Sequence, residues 1–214
     1  MMKQLIGPDQ YRVFRITHVD NIPWILDNGL HCESSDVRDE NYVSIGMADL
    51  ISKRRRRSVP VDPGGVLADY VPFYFTPKSI MLYNIKTGYN GVTRRPNDEI
   101  VLLVSRLPQL SDAGVKYIFT DGHAYPTETE YFDDDNDLDQ VDWELLYTCD
   151  FERDPNDPGK LTRYQAEALV YQHVPVDALT GIVCNSDRVK KRLQQQIDDR
   201  GLGYGVVTRP RWYF

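Results

Sequence analysis

Several residues in this chain have the types and spacing that chemistry needs. Glu167 stands between Ala166 and Ala168 at the head of an apolar strand, Ala166–His173. A carboxylate there is costly unless something partners it. On its own it also fits an edge-strand glutamate facing water. Lys53-Arg-Arg-Arg-Arg57 is a dense run of positive charge, a solvated helix end or a polyanion patch. On a helix Arg54 and Arg57 share one face while Arg55 points elsewhere, so only some of the run can enter a cleft. Arg15-Ile-Thr-His18 closes a first strand, and Asp121-Gly-His123 follows another, where loops carry function. Arg163 and Tyr164 precede the glutamate; an arginine beside an aromatic ring can stack on and clamp a splayed base. Around Val71–Phe75, period-2 alternation sends Phe73 and Phe75 to one face and leaves Tyr74 on the other.

The elements that must position these groups are legible in outline. Tyr11–Ile16 reads as a strand, followed by a short helix with Asp20 as N-cap, Pro23 in its first turn and Gly29 just past its end. A second helix is expected over about 44–57. Short strands follow at Val71–Phe75, Ile100–Ser105, Lys116–Thr120, Ala166–His173 and Gly181–Asn185. A helix capped by Ser186, with Val189, Leu193 and Ile197 inward, stops at Gly201. Gly205–Phe214 reads as a last strand with Pro210 near its edge. Helices early and strands later indicate an α+β fold.

Composition sets further bounds. With 214 residues, 41% of them hydrophobic, the chain suits one domain, 1–214, with a sizeable core. Three scattered cysteines fit free thiols in a reducing cytoplasm, and neither a signal peptide nor a membrane span is visible. The net charge of −7 is local: residues 128–142 hold eight acids and no base, leaving 25 Lys and Arg against 32 − 8 = 24 acids elsewhere. Screening over roughly 8–10 Å lets a near-neutral body keep a basic face for DNA despite that loop. The four histidines and three cysteines have no paired metal spacing, so no metal is expected. Gly201-Leu-Gly-Tyr-Gly205 follows a helix and is not a dinucleotide fingerprint; no P-loop or Gly-x-Ser-x-Gly elbow is present.

The stretch from Pro63 to Tyr83, with Arg15–His18, Lys53–Arg57, Phe119–His123 and Ala166–Tyr171, resembles the DarT family in content and order. These are NAD-dependent enzymes that ADP-ribosylate thymine in single-stranded DNA. The resemblance implies an ADP-ribosyltransferase-like split, curved sheet with flanking helices and NAD as co-substrate in its cleft. It implies that Glu167 is the catalytic carboxylate, stabilising an oxocarbenium-like ribose. It makes Arg54 the essential arginine, holding the base and favouring its anion. Arg15, Thr17, His18, Tyr74, Ser79 and Met81 would surround NAD. The family often carries His where this chain has Arg15, and an arginine there suits the pyrophosphate. Arg57, His123, Arg163 and Tyr164 would meet DNA. A toxin paired with a macrodomain antitoxin is implied as well. Two other classes stay open: the same transfer to RNA or protein, since fold does not fix the acceptor, and a non-catalytic nucleic-acid-binding module. Glu167→Ala is expected to abolish transfer with the fold intact, on the expectation that the carboxylate is solvent-reachable.

Overall fold

A computed structural model describes residues 11–214. Strand β1 (Arg12–His18) passes through a 3-10 turn, Val19–Asn21, into α1 (Ile22–Asn28) and β2 (Leu30–His31). Then come α2 (Ala48–Arg54), β3 (Tyr70–Tyr74), α3 (Ile80–Thr87), β4 (Ile100–Arg106) and α4 (Leu107–Asp112). The chain continues through β5 (Tyr117–Thr120), β6 (Tyr131–Phe132), α5 (Trp143–Thr148) and α6 (Lys160–Arg163). It ends with β7 (Glu167–Tyr171), β8 (His173–Val174), β9 (Gly181–Cys184), α7 (Asp187–Asp198) and β10 (Val206–Thr208).

Eight strands form one open sheet in the order β10-β9-β4-β1-β3-β7-β5-β6, while β2 and β8 pair separately. Neighbours run antiparallel except β10 and β9. Alternation sorts the side chains. Val13, Phe73, Phe75, Leu103 and Ala168 fill the core on one face, beneath α1 and α7. Phe14, Ile16 and Leu102 pack on the other with Leu82 of α3 and Trp212. The sheet has a seam. β1 pairs with β4 along all seven residues, Arg12↔Arg106 to His18↔Ile100, but with β3 only at Phe14↔Tyr74. Past that pair the two strands diverge, and the guanidinium of Arg15 bridges the gap by donating to the Pro72 carbonyl at 3.1 Å.

Several expectations are revised. Asp20 is not the N-cap of α1; Asn21 stands there without a capping side-chain bond, and His18 caps the preceding 3-10 turn. α2 begins at Ala48 and ends at Arg54, so Arg57 lies beyond it. Gln172, with φ 60°, breaks the long strand into β7 and β8. After Thr208, Pro210 opens a 3-10 turn and not a strand edge. Helices α3 to α6 also interleave with the later strands, where the sequence pattern indicates strands alone. Among the described residues no helix is long and apolar enough to cross a membrane.

Candidate active site

The diverging strands frame a cleft of about 420 Å³, within the roughly 300–1,000 Å³ of small-molecule pockets. Glu167 sits at its floor. As the first residue of β7 it is flanked by β3 and β5, opposite Tyr74, and only 1% exposed. It is therefore neither an edge-strand residue nor free in water. Arg54 holds it with two parallel bonds, Nη1 to Oε1 at 2.8 Å and Nη2 to Oε2 at 2.7 Å. The Ala124 N–H adds a third to Oε1 at 3.1 Å. Burial alone raises the carboxyl's pKa; the Arg54 charge and its bonds, with smaller help from His123 and Ala124, overcome it and hold the group below its ordinary value of 4.5. The site thus keeps an ionised carboxylate in an apolar floor.

The local sequence explains this arrangement. α2 ends at Arg54, whose side chain turns inward while Arg55 turns out to Glu33 at 2.6 Å. Beyond β5, the His123 N–H donates to the Thr162 carbonyl at 2.9 Å, and a Cβ on Gly122 would lie 3.0 Å from that oxygen. The turn before His123 is therefore pressed against α6, the short helix that precedes Glu167. Its imidazole Nε2 lies 3.8 Å from Glu167 Oε1. Burial pushes the His123 pKa down, and Arg54 adds to this against Glu167, so the ring is neutral at neutral pH. Tyr74 points into the cleft as its alternation with Phe73 and Phe75 requires. Burial, then the Glu167 charge, push its phenol up to about 12, so it remains a donor.

The other expected residues divide. Arg15 and Met81 line the cleft, and the buried Nε of Arg15 has no hydrogen-bond partner, leaving a donor for an anionic ligand. Thr17 and His18 lie behind the lining: Thr17 accepts from Asn21 at 3.0 Å, and His18 Nδ1 accepts from the Asp20 N–H at 3.2 Å. The hydroxyl of Ser79 caps α3, accepting from the Leu82 N–H at 3.2 Å. Arg57 donates to the Pro126 carbonyl at 3.1 Å. The expected arginine–tyrosine clamp is not displayed. Arg163 is bound to Asp157 at 3.0 and 2.7 Å and to Asp142 at 3.0 Å, and Tyr164 is buried with its hydroxyl on the Lys78 carbonyl.

Sequence reasoning missed Asn21 and Tyr131. Asn21 is fully buried; its amide accepts from the Val43 N–H at 2.8 Å and donates to the Val43 carbonyl at 3.0 Å. It pins the segment carrying Arg38 and Tyr42 against the cleft. The Tyr131 hydroxyl donates to the carbonyl of Ala124, the residue whose N–H contacts Glu167. The signal for Tyr131 was an aromatic pair, Tyr131-Phe132, inside an acidic run. Among the described residues, no group of three or more His, Cys, Asp or Glu is placed to hold a metal ion.

A family model described as "ssDNA thymidine ADP-ribosyltransferase, DarT" matches residues 14–214. A DNA ADP-ribosyl transferase of Escherichia coli O127:H6 is 53% identical over 209 residues, covering 98% of this chain and 96% of that protein. The structure of Thermus sp. 2.9 DarT with ADP-ribosylated ssDNA superposes with a TM-score of 0.88 at 31% identity, covering 98% and 99% of the two chains. The same protein with NAD+ gives 0.83 at 30% identity, covering 97% and 99%. A fusion of DNA ADP-ribosyl transferase and DNA ADP-ribosyl glycohydrolase from Thermosipho africanus is 24% identical over 203 residues, 94% of this chain and 49% of the fusion. With a family model spanning nearly the whole chain and a relative more than half identical along its length, this protein belongs to the DarT family of ssDNA thymidine ADP-ribosyltransferases.

Proposed function

We infer that the protein transfers ADP-ribose from NAD+ to a thymine ring nitrogen in single-stranded DNA, releasing nicotinamide, and that it acts as the toxin of a toxin–antitoxin pair. The observation that carries this reading is Glu167, buried yet held ionised by Arg54 where the sheet splits. With NAD+ in the cleft, the bond from ribose C1′ to nicotinamide breaks and its electron pair leaves with the nicotinamide. The carboxylate of Glu167 stabilises the positive charge that develops on the ribose. Thymine N3 then bonds to C1′ and gives up its proton, which the neutral imidazole of His123 is able to accept. Arg54 uses two of its five N–H donors on Glu167, which leaves others to favour the anionic base.

Around that centre, Arg15 suits the pyrophosphate, and Tyr74 and Met81 suit the nicotinamide end. Thr17, His18 and Ser79 support the NAD site from behind its lining. Arg57 and His123 serve the DNA side, where Arg163 and Tyr164 act by shaping the loop before Glu167. The chain works as one domain in the cytoplasm, opposed by an antitoxin with a macrodomain; the glycohydrolase fused to the Thermosipho relative supports that pairing.

Incubation with labelled NAD+ and separate single-stranded DNA, duplex, RNA and protein acceptors tests the reading. Label is expected on thymine-containing single strands, with the annealed duplex protected because N3 lies inside the base pair. Labelling of N3-methylthymine would refute the attachment site. Preferential labelling of RNA or protein would refute the acceptor.

A further inference from the structure

The turn that follows β5 holds Glu167 at both its ends, through two threonines. The backbone N–H of Glu167 donates to the hydroxyl of Thr120 at 3.2 Å, and that hydroxyl donates to the Gly122 carbonyl at 2.6 Å. At the other end, the carboxylate Oε1 accepts from the Ala124 N–H at 3.1 Å. That N–H belongs to the His123–Ala124 peptide, whose carbonyl oxygen accepts from the hydroxyl of Thr129 at 2.7 Å. Hydroxyl, peptide and carboxylate thus form one chain of hydrogen bonds. A donor on the oxygen polarises the amide and strengthens its N–H toward the carboxylate.

The rest of the turn is fixed in the same manner. The Ala124 carbonyl accepts from the Tyr131 hydroxyl, and the Pro126 carbonyl from Arg57 at 3.1 Å. Alternation delivers the donors: Glu128 and Glu130 are exposed while Thr129 and Tyr131 are buried, so the acidic run turns its charge outward and its hydroxyls inward. A turn stitched for stability alone would also carry such bonds. Thr129 differs in the peptide it takes. Of the four carbonyls capped by these side chains, only that of His123 shares a peptide with the N–H on the reacting carboxylate. The same peptide carries the imidazole whose Nε2 stands 3.8 Å from Oε1.

On the reading of Glu167 as the carboxylate that meets the ribose, we propose that Thr129 is a positioning residue for the transfer. Its hydroxyl holds the His123–Ala124 peptide so that the N–H stays on Oε1 and the imidazole stays beside it. Without that hydroxyl the peptide is free to tilt, and Glu167 and His123 lose their common anchor. Arg15 and Met81, elsewhere in the cleft lining, are untouched, so the loss falls on kcat and not on the KM for NAD+.

Thr129→Val, which keeps the shape and removes the hydroxyl, tests this in two measurements. Steady-state transfer from NAD+ to a thymine-containing single strand should show kcat lowered about tenfold, with KM for NAD+ unchanged within about twofold. The amide proton of Ala124, followed by NMR, should move upfield as its bond to the carboxylate weakens. Thr129→Ser keeps the donor and should restore both. Thr129→Ala, judged by the same two measurements, serves if Thr129→Val does not fold. Ser105→Ala is the control. It removes another buried hydroxyl, bonded to the Ala178 carbonyl at 2.6 Å and outside the cleft lining, and should lower Tm without changing kcat or the Ala124 resonance. Wild-type kcat in Thr129→Val, a loss carried by KM, or an unmoved Ala124 resonance overturns the proposal, as does a Thr129→Ser as impaired as Thr129→Val. A wild type that labels no DNA defeats the transferase reading alone, and the Ala124 resonance then still decides whether Thr129 holds Glu167.

Discussion

Truncating Glu167 removes a charge and also strands another. Arg54 is mostly buried, so Glu167→Ala leaves a guanidinium without its counter-ion, and breaking such a pair costs about 3–5 kcal/mol. The expectation of an intact fold in that variant rested on a solvent-reachable carboxylate and gives way to the buried pair. Glu167→Gln keeps an oxygen for Arg54 and Ala124, so urea unfolding should show a smaller loss while transfer still disappears. Arg54→Ala should fail in both assays, whereas Arg55→Ala, which breaks only the surface pair with Glu33, should shift stability by at most about 1 kcal/mol. Acid separates the two titrating groups. The lowered pKa of Glu167 gives stability present above its ordinary 4.5 and lost as pH falls through its folded value. His123 is also lowered, so the unfolded chain binds its proton first and stability declines as pH falls below about 6.5. Denaturation between pH 7 and 5 should therefore be flatter in His123→Gln, and below pH 4.5 flatter in Glu167→Gln.

Elements act on the site through a few backbone decisions. Gly29 ends α1 with φ 79°, and a Cβ there would sit 2.4 Å from the Val174 carbonyl oxygen and 2.5 Å from the His173 ring. Gly29→Ala should therefore cost more than about 1 kcal/mol and disturb the β2–β8 pair beside the cleft, read as a lowered Tm and a raised KM for NAD+. Asn21→Ala should raise that KM more than it lowers kcat, because Val43 loses both its partners and the segment carrying Arg38 loosens. How much of this the sequence discloses depends on how local the cause is. α7 was legible from Ser186, Val189, Leu193 and Ile197, because capping and periodicity are local. Tyr74 was legible because alternation is local too. The burial of Glu167 was not, since it depends on β3 and β5 flanking a strand whose neighbours lie far along the chain. Asn21 was hidden for the same reason: its partner is 22 residues away.

Across the whole molecule, charge is segregated. Asp133, Asp137 and Asp139 are exposed in a run without a base, so they repel a strand approaching from that side. Replacing the three by Asn should speed oligonucleotide association at low salt and change little near 0.5 M, where screening acts within a few ångströms. Stopped-flow rates against ionic strength would show this. The seam between β1 and β3 divides the sheet into two leaves of four strands, β10-β9-β4-β1 and β3-β7-β5-β6, joined along their shared edge at Phe14 and Tyr74. A dinucleotide laid in that seam would touch both leaves and act as a rivet, so substrate occupancy and mechanical stiffness become one variable. Amide deuterium exchange at Ile16–His18 and at Val71 should slow together when NAD+ is added, while β9 and β10, far from the seam, keep their own pace.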